Sequence, residues 1–93
     1  MKDASKQIED LRDEIDILDE KLLNLLSERV KVVQKIGRLK RGSRLEPFDK
    51  KRWQRMMRLR LLKSKSLGLS FAYIEKLYGV IHEHSLKLQK INQ

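Results

Sequence analysis

An all-α fold is predicted by three features of this sequence: apolar residues that recur every three or four positions, a wealth of strong helix formers, and a single proline in 93 residues. Charged residues make up 38% of the chain and hydrophobic ones 40%. Leu, Lys, Glu, Arg and Gln lose little rotamer freedom in a helix, so this composition favours helices over strands. A chain this short supports one domain, residues 1–93, built from one long helix and two shorter ones.

The first helix is expected from about Ser5 to Lys40. Ile8, Leu11, Ile15, Leu18, Leu22, Leu25, Val32, Ile36 and Leu39 step by threes, fours and sevens along one face, a heptad seam. No proline interrupts it, and Gly37 falls in the last turn, so one continuous helix of roughly 50 Å follows at about 1.5 Å per residue. Residues 41–48 hold the proline and a glycine and read as a loop. Asp49 suits the N-cap of a second helix from about Lys50 to Ser66, with Trp53, Met56, Met57 and Leu61 as its apolar contacts and Gly68 as its carboxyl-terminal cap. Ser70 caps a third helix, over about 71–91, in which Phe71, Ile74, Tyr78, Ile81 and Leu88 keep the helical spacing.

Helices of such unequal length leave the first projecting beyond the other two when one chain folds alone. Sustained heptads make a second copy of the same helix its natural cover, so the expected assembly is an intertwined helical homodimer.

Several chemistries are excluded by residue content. With no cysteine and two histidines, disulfides and thiolate metal sites are ruled out, and no metal or cofactor is expected. His82 and His84 stand two residues apart on a helix and point to different faces, so they make a poor catalytic pair. No glycine-rich phosphate loop or nucleophile motif occurs. The longest uncharged stretch, Ser66 to Ile74, is too short to cross a bilayer as a helix, and the amino terminus leads directly into a charged helical pattern, which makes the cytoplasm the expected location. A net charge of +9 attracts anions without choosing among nucleic acid, lipid and small carboxylates.

Polar residues at positions where the pattern calls for apolar ones narrow that choice. The column Ile8, Ile15, Leu22, Arg29, Ile36 places a guanidinium in the middle of the seam. A desolvated charge requires an anionic partner, which for Arg29 is either a structural ion pair that sets the register or a bound anion. Arg12 and Lys40 share a neighbouring column with Leu26 and Val33; their aliphatic stems can cover the seam while their charges reach water, or their charges can turn inward. On the third helix Ser85 replaces an apolar seam residue, and Gln89 lies one turn beyond it on the same side. Ser85 is either a small packing residue bonded to the preceding turn or a ligand contact. Inward-facing Arg, Lys, Ser and Gln together outline a cavity for a small polyanion.

The run from Leu11 to Arg29, LRDEIDILDEKLLNLLSER, resembles the first helix of the all-α class of chorismate mutases. The likeness continues through Ile36-Gly37-Arg38-Leu39-Lys40, across Asp49 and Arg52, and into the segment from Ile81 to Gln89. This resemblance implies a homodimer of three-helix protomers that rearranges chorismate to prephenate for aromatic amino acid biosynthesis, with two active sites. Each site receives one arginine, here Arg12, from the other subunit. Arg29, Lys40 and Arg52 match the family's other cationic site residues, and Ser85 and Gln89 match its contacts on the last helix.

Chorismate rearranges by a concerted pericyclic shift, so its enzyme needs neither nucleophile nor general base. Clamping the two substrate carboxylates with Arg12, Arg29 and Arg52 favours the compact chair in which the reacting carbons meet. Negative charge grows on the ether oxygen as its bond breaks, and donors there, Lys40 and Gln89, stabilise the transition state more than the ground state. One departure from the family pattern follows Arg52: many members place there a glutamate that bonds the substrate hydroxyl, whereas this chain has Trp53. Asp49 can orient that hydroxyl through its backbone instead, and Trp53 can pack over the site or against the third helix.

Three rival readings carry their own tests. Pyruvate elimination from isochorismate would use a similar cationic pocket and is separated by product analysis. A basic module binding nucleic acid through Lys50, Lys51, Arg52, Arg55, Arg58, Arg60 and Lys63 would lose affinity steeply with salt, but it leaves Arg29 unexplained. A non-catalytic regulatory domain of the same fold would bind ligand without converting it.

Overall fold

The computed structural model describes residues 3–90. Within them the chain forms three α-helices: α1 (Ala4–Gly42), α2 (Lys50–Ser66) and α3 (Phe71–Lys90). The expected end of the third helix at 91 lies outside the described residues. Internal contacts group the chain into two units that divide between Val32 and Val33.

The first unit is the amino-terminal part of α1. Asp3 caps it, its Oδ1 accepting the Lys6 N–H at 2.9 Å, which satisfies one of the helix's orphan donors. Lys6 also reaches Asp10 at 3.3 Å and Glu9 at 3.8 Å, exposed pairs worth only tenths of a kcal/mol. Nothing apolar is buried along this stretch: Ile15 is 53% exposed and Leu18 60%. An isolated helix stays marginal in water until its apolar face is covered, so this seam is the unit's unfinished surface.

The second unit holds the end of α1 together with α2 and α3. Here α1 runs two residues past the expected Lys40, because the residue that ends it is Arg44 and not Gly42. Arg44 sits in the left-handed region with φ 57°, and beyond it the Leu45 N–H turns back to the Lys40 carbonyl at 2.8 Å while the Arg44 N–H reaches the Arg41 carbonyl at 3.4 Å. This is the Schellman arrangement with arginine in the place that usually falls to glycine.

α2 starts and stops where its caps dictate. Asp49 is extended, and its Oδ1 accepts the Arg52 N–H at 3.0 Å. At the other end Gly68 adopts φ 73°, with Leu69 N–H bonded to the Ser64 carbonyl at 2.9 Å and Gly68 N–H to that of Lys65 at 3.1 Å, a second Schellman stop. Ser70 then caps α3, its Oγ accepting the Tyr73 N–H at 3.3 Å.

α2 and α3 pack against each other. Trp53, Met56, Met57 and Leu61 are half-buried, as are Tyr78, Ile81 and Leu88, while Phe71 at the start of α3 remains exposed. Among the described residues Val33 and Ile74 are the buried apolar ones, and Ser64, Ser85 and Gln89 the buried polar ones. A core in which polar side chains equal or outnumber apolar ones is weak as a stabilising device, which points to what those polar groups are for.

Candidate functional site

Gln89 and Ser85 lie one turn apart on α3, and both are buried. The Gln89 backbone meets α1 at Gly37, where a Cβ would stand 3.0 Å from Gln89 Cα and 3.4 Å from its Cγ. Glycine is therefore what allows the two helices this close an approach. One turn along α1, Arg41 Nη1 donates to the Gln89 carbonyl at 2.8 Å and ties the end of α3 to α1. The Gln89 side chain is left differently: its Oε1 is buried and has no hydrogen-bond partner. An unsatisfied buried amide oxygen costs about 1–3 kcal/mol, so within one chain this oxygen adds nothing to stability.

Ser85 Oγ donates to the Ile81 carbonyl at 2.8 Å, the bond back to the preceding turn that a helical serine commonly makes. Lys40, three residues after Gly37, is half-buried and donates from Nζ to the Pro47 carbonyl at 2.8 Å. That bond fixes the α1–α2 loop and uses one of the ammonium's three donors. Lys40 borders two open depressions. One, of about 360 Å³, it shares with Asp49, Phe48 and Glu46; the other, of about 670 Å³, with Arg41, Arg44, Lys90 and Glu46. Cations outnumber acids around both.

Asp49 caps α2 through its Oδ1, which holds its carboxylate at the first turn of that helix. Arg52 is exposed on the first turn of α2. Trp53 does not stand open: its indole stacks on the His82 ring, with centroids 3.9 Å apart and planes at 26°, and Phe48 meets the same ring at 5.4 Å. Of the two packings open to Trp53, the contact made is with the third helix.

Arg12 and Arg29 belong to the first unit, and both are exposed. Arg29 is not buried within one chain because its whole column is uncovered: Leu22 is 52% exposed and Ile36 40%. Lys40, Asp49, Arg52, Ser85 and Gln89 thus fall in the second unit, and the other two arginines in the first.

Sequence reasoning passed over Arg41, whose signal was its place one helical turn after Gly37 and so beside any element that glycine admits. It also passed over the packing of His82. The aromatic stack depends on α2 and α3 meeting at that level, which no local pattern encodes.

Comparison with known proteins matches residues 11–90 to the family described as chorismate mutase type II, a span that contains all seven of these residues. The chain is 34% identical over 68 residues to the T-protein of Haemophilus influenzae, covering 73% of this chain and 18% of that protein. It is also 34% identical over 79 residues to the bifunctional chorismate mutase/prephenate dehydratase of Buchnera aphidicola, covering 85% of this chain and 20% of that protein. The chain spans about a fifth of the length of these relatives. With the greater part of its residues inside the family match, the chain belongs to the chorismate mutase type II family.

Proposed function

We propose that this chain, as one domain in a homodimer, converts chorismate to prephenate. The observation that carries the reading is the buried Gln89 side chain, whose Oε1 has no partner, one packing contact from Gly37 and so beside the turn of α1 that bears Lys40. A side chain whose backbone is packed on Gly37 and tied by Arg41 is preorganised, and its N–H₂ is the group that would donate to a developing oxyanion. Lys40 supplies the charge. As the ether bond of chorismate lengthens, Lys40 and Gln89 donate to its oxygen, and Arg29, Arg52 and the partner's Arg12 hold the two carboxylates so that the reacting carbons face each other.

Ser85 and Asp49 play smaller parts. For Ser85 to donate to a substrate carboxylate its proton must turn away from Ile81, a modest cost for an assisted bond to a charged group. Asp49, whose side chain caps α2, orients the substrate hydroxyl from its backbone.

Dimerisation supplies Arg12 and covers the seam from Ile8 to Leu25, which is exposed in the single chain. None of the described helices is long and apolar enough to cross a membrane, and a cytoplasmic location suits a small dianionic substrate. The test is direct: purified protein is mixed with chorismate, and its disappearance is followed alongside prephenate, with isochorismate and pyruvate measured in parallel. Prephenate formation that falls at least about a hundredfold in Lys40→Ala, with helicity unaltered, is the expected result. Chorismate that decays no faster than in buffer would overturn the reading.

A further inference from the structure

The first turn of α2 carries Arg52 and Trp53, and Trp53 joins that turn to α3 through a ring contact. Trp53 lies on the ring of His82 at 3.9 Å between centroids, and Phe48, the residue before the Asp49 cap, closes on the same ring at 5.4 Å. His82 stands three residues before Ser85 and seven before Gln89, on the side of α3 that carries both. One imidazole therefore gathers the loop, the start of α2 and the polar stretch of α3. Met56, Met57 and Ile81 are half-buried around it, as Trp53 and His82 themselves are.

We propose that His82 is a positioning residue for substrate binding, which through its stack on Trp53 holds Arg52 at a fixed distance from Ser85 and Gln89. This rests on the chorismate mutase reading above. The Asp49 cap fixes the backbone of the turn along the helix axis, and the stack fixes how the turn sits on α3. A stacked aromatic pair shifts the balance between a seated and a displaced turn by about two- to tenfold. Arg52 serves to bind a carboxylate, so losing its position weakens substrate binding more than it slows the bond rearrangement.

His82→Ala and His82→Phe in the full chain separate this from a purely structural role, with the one tryptophan of the sequence as an internal reporter. In His82→Ala the Trp53 emission shifts to the red, KM for chorismate rises about three- to tenfold, and kcat stays within about twofold. His82→Phe, which keeps a ring for stacking, returns both emission and KM towards the parent values. Stability lost without positioning would lower the amount of active enzyme and leave KM alone. Should His82→Ala fail to fold, Trp53→Leu removes the other ring and must raise KM to the same extent. An unaltered KM in His82→Ala despite shifted emission, or no rescue by phenylalanine, overturns the proposal while the mutase reading stands. An inactive parent protein instead sinks the mutase reading, and this inference with it.

Discussion

Arg44 holds a conformation that L-residues avoid, with φ 57° at the end of α1. Left-handed backbone costs a non-glycine residue about 1–2 kcal/mol, and glycine gives back part of that gain through a more flexible unfolded chain. Arg44→Gly is therefore expected to stabilise the protein by about 0.5–1 kcal/mol, read as a shift in the midpoint of chemical denaturation. Gln89 makes the opposite case for function over stability. Gln89→Leu removes a buried oxygen that has no partner and leaves intact the backbone carbonyl that Arg41 holds. Folding stability should hold or rise by about 1 kcal/mol while turnover falls at least about a hundredfold. A variant that kept its activity would remove Gln89 from the site. Both residues were visible in the sequence to different degrees: Gln89 stood out as a polar residue on the inward side of a helix, whereas nothing local distinguishes an arginine that must take a glycine's conformation.

At the level of elements, Gly37 and Gly79, both inside helices and away from their ends, separate close packing from plain propensity. Added methyls behave differently at each: at Gly37 one would stand 3.0 Å from the Gln89 Cα, and at Gly79 it meets nothing within 4 Å. Gly79→Ala should gain about 0.5–1 kcal/mol from helix propensity with activity retained. In Gly37→Ala the same gain is outweighed by overpacking of about 1–3 kcal/mol, for a net loss of about 1 kcal/mol, and Gln89 moves with α3, so turnover falls too. Thermal unfolding and initial rates on the two variants check both statements. α2 shows the limit of propensity in another way. It carries eight cations and no acid in 17 residues, and neighbours three or four apart repel. Its endpoints nevertheless follow Asp49 and Gly68, because capping hydrogen bonds are specific while surface repulsion is spread and screened.

For the whole molecule the deciding quantity is buried apolar surface. Val33 and Ile74 are its buried apolar residues among those described, while Ile8, Leu11, Ile15, Leu18, Leu22 and Leu25 lie exposed along α1. Folding and assembly are therefore expected to be one event, with an unfolding temperature that rises with protein concentration. Leu18→Glu, a charge placed in the middle of the seam, should both dissociate the proposed dimer and abolish most helicity, as followed by sedimentation and circular dichroism. A folded, concentration-independent monomer would contradict this picture.

The sequence by itself determined the helices, their caps at Asp49 and Gly68, and the family, because helix periodicity and capping are local and are written in residues a few positions apart. It also marked Lys40, Ser85 and Gln89 as polar residues on apolar faces. What only the tertiary structure decided is which of these groups are already engaged. Lys40 is bonded to Pro47, Ser85 to Ile81 and Asp49 to the start of α2, while the Gln89 oxygen is left waiting and Trp53 is taken up by His82. Hydrogen bonds and ring contacts between distant segments depend on how helices meet in space, and no spacing along one chain encodes that meeting.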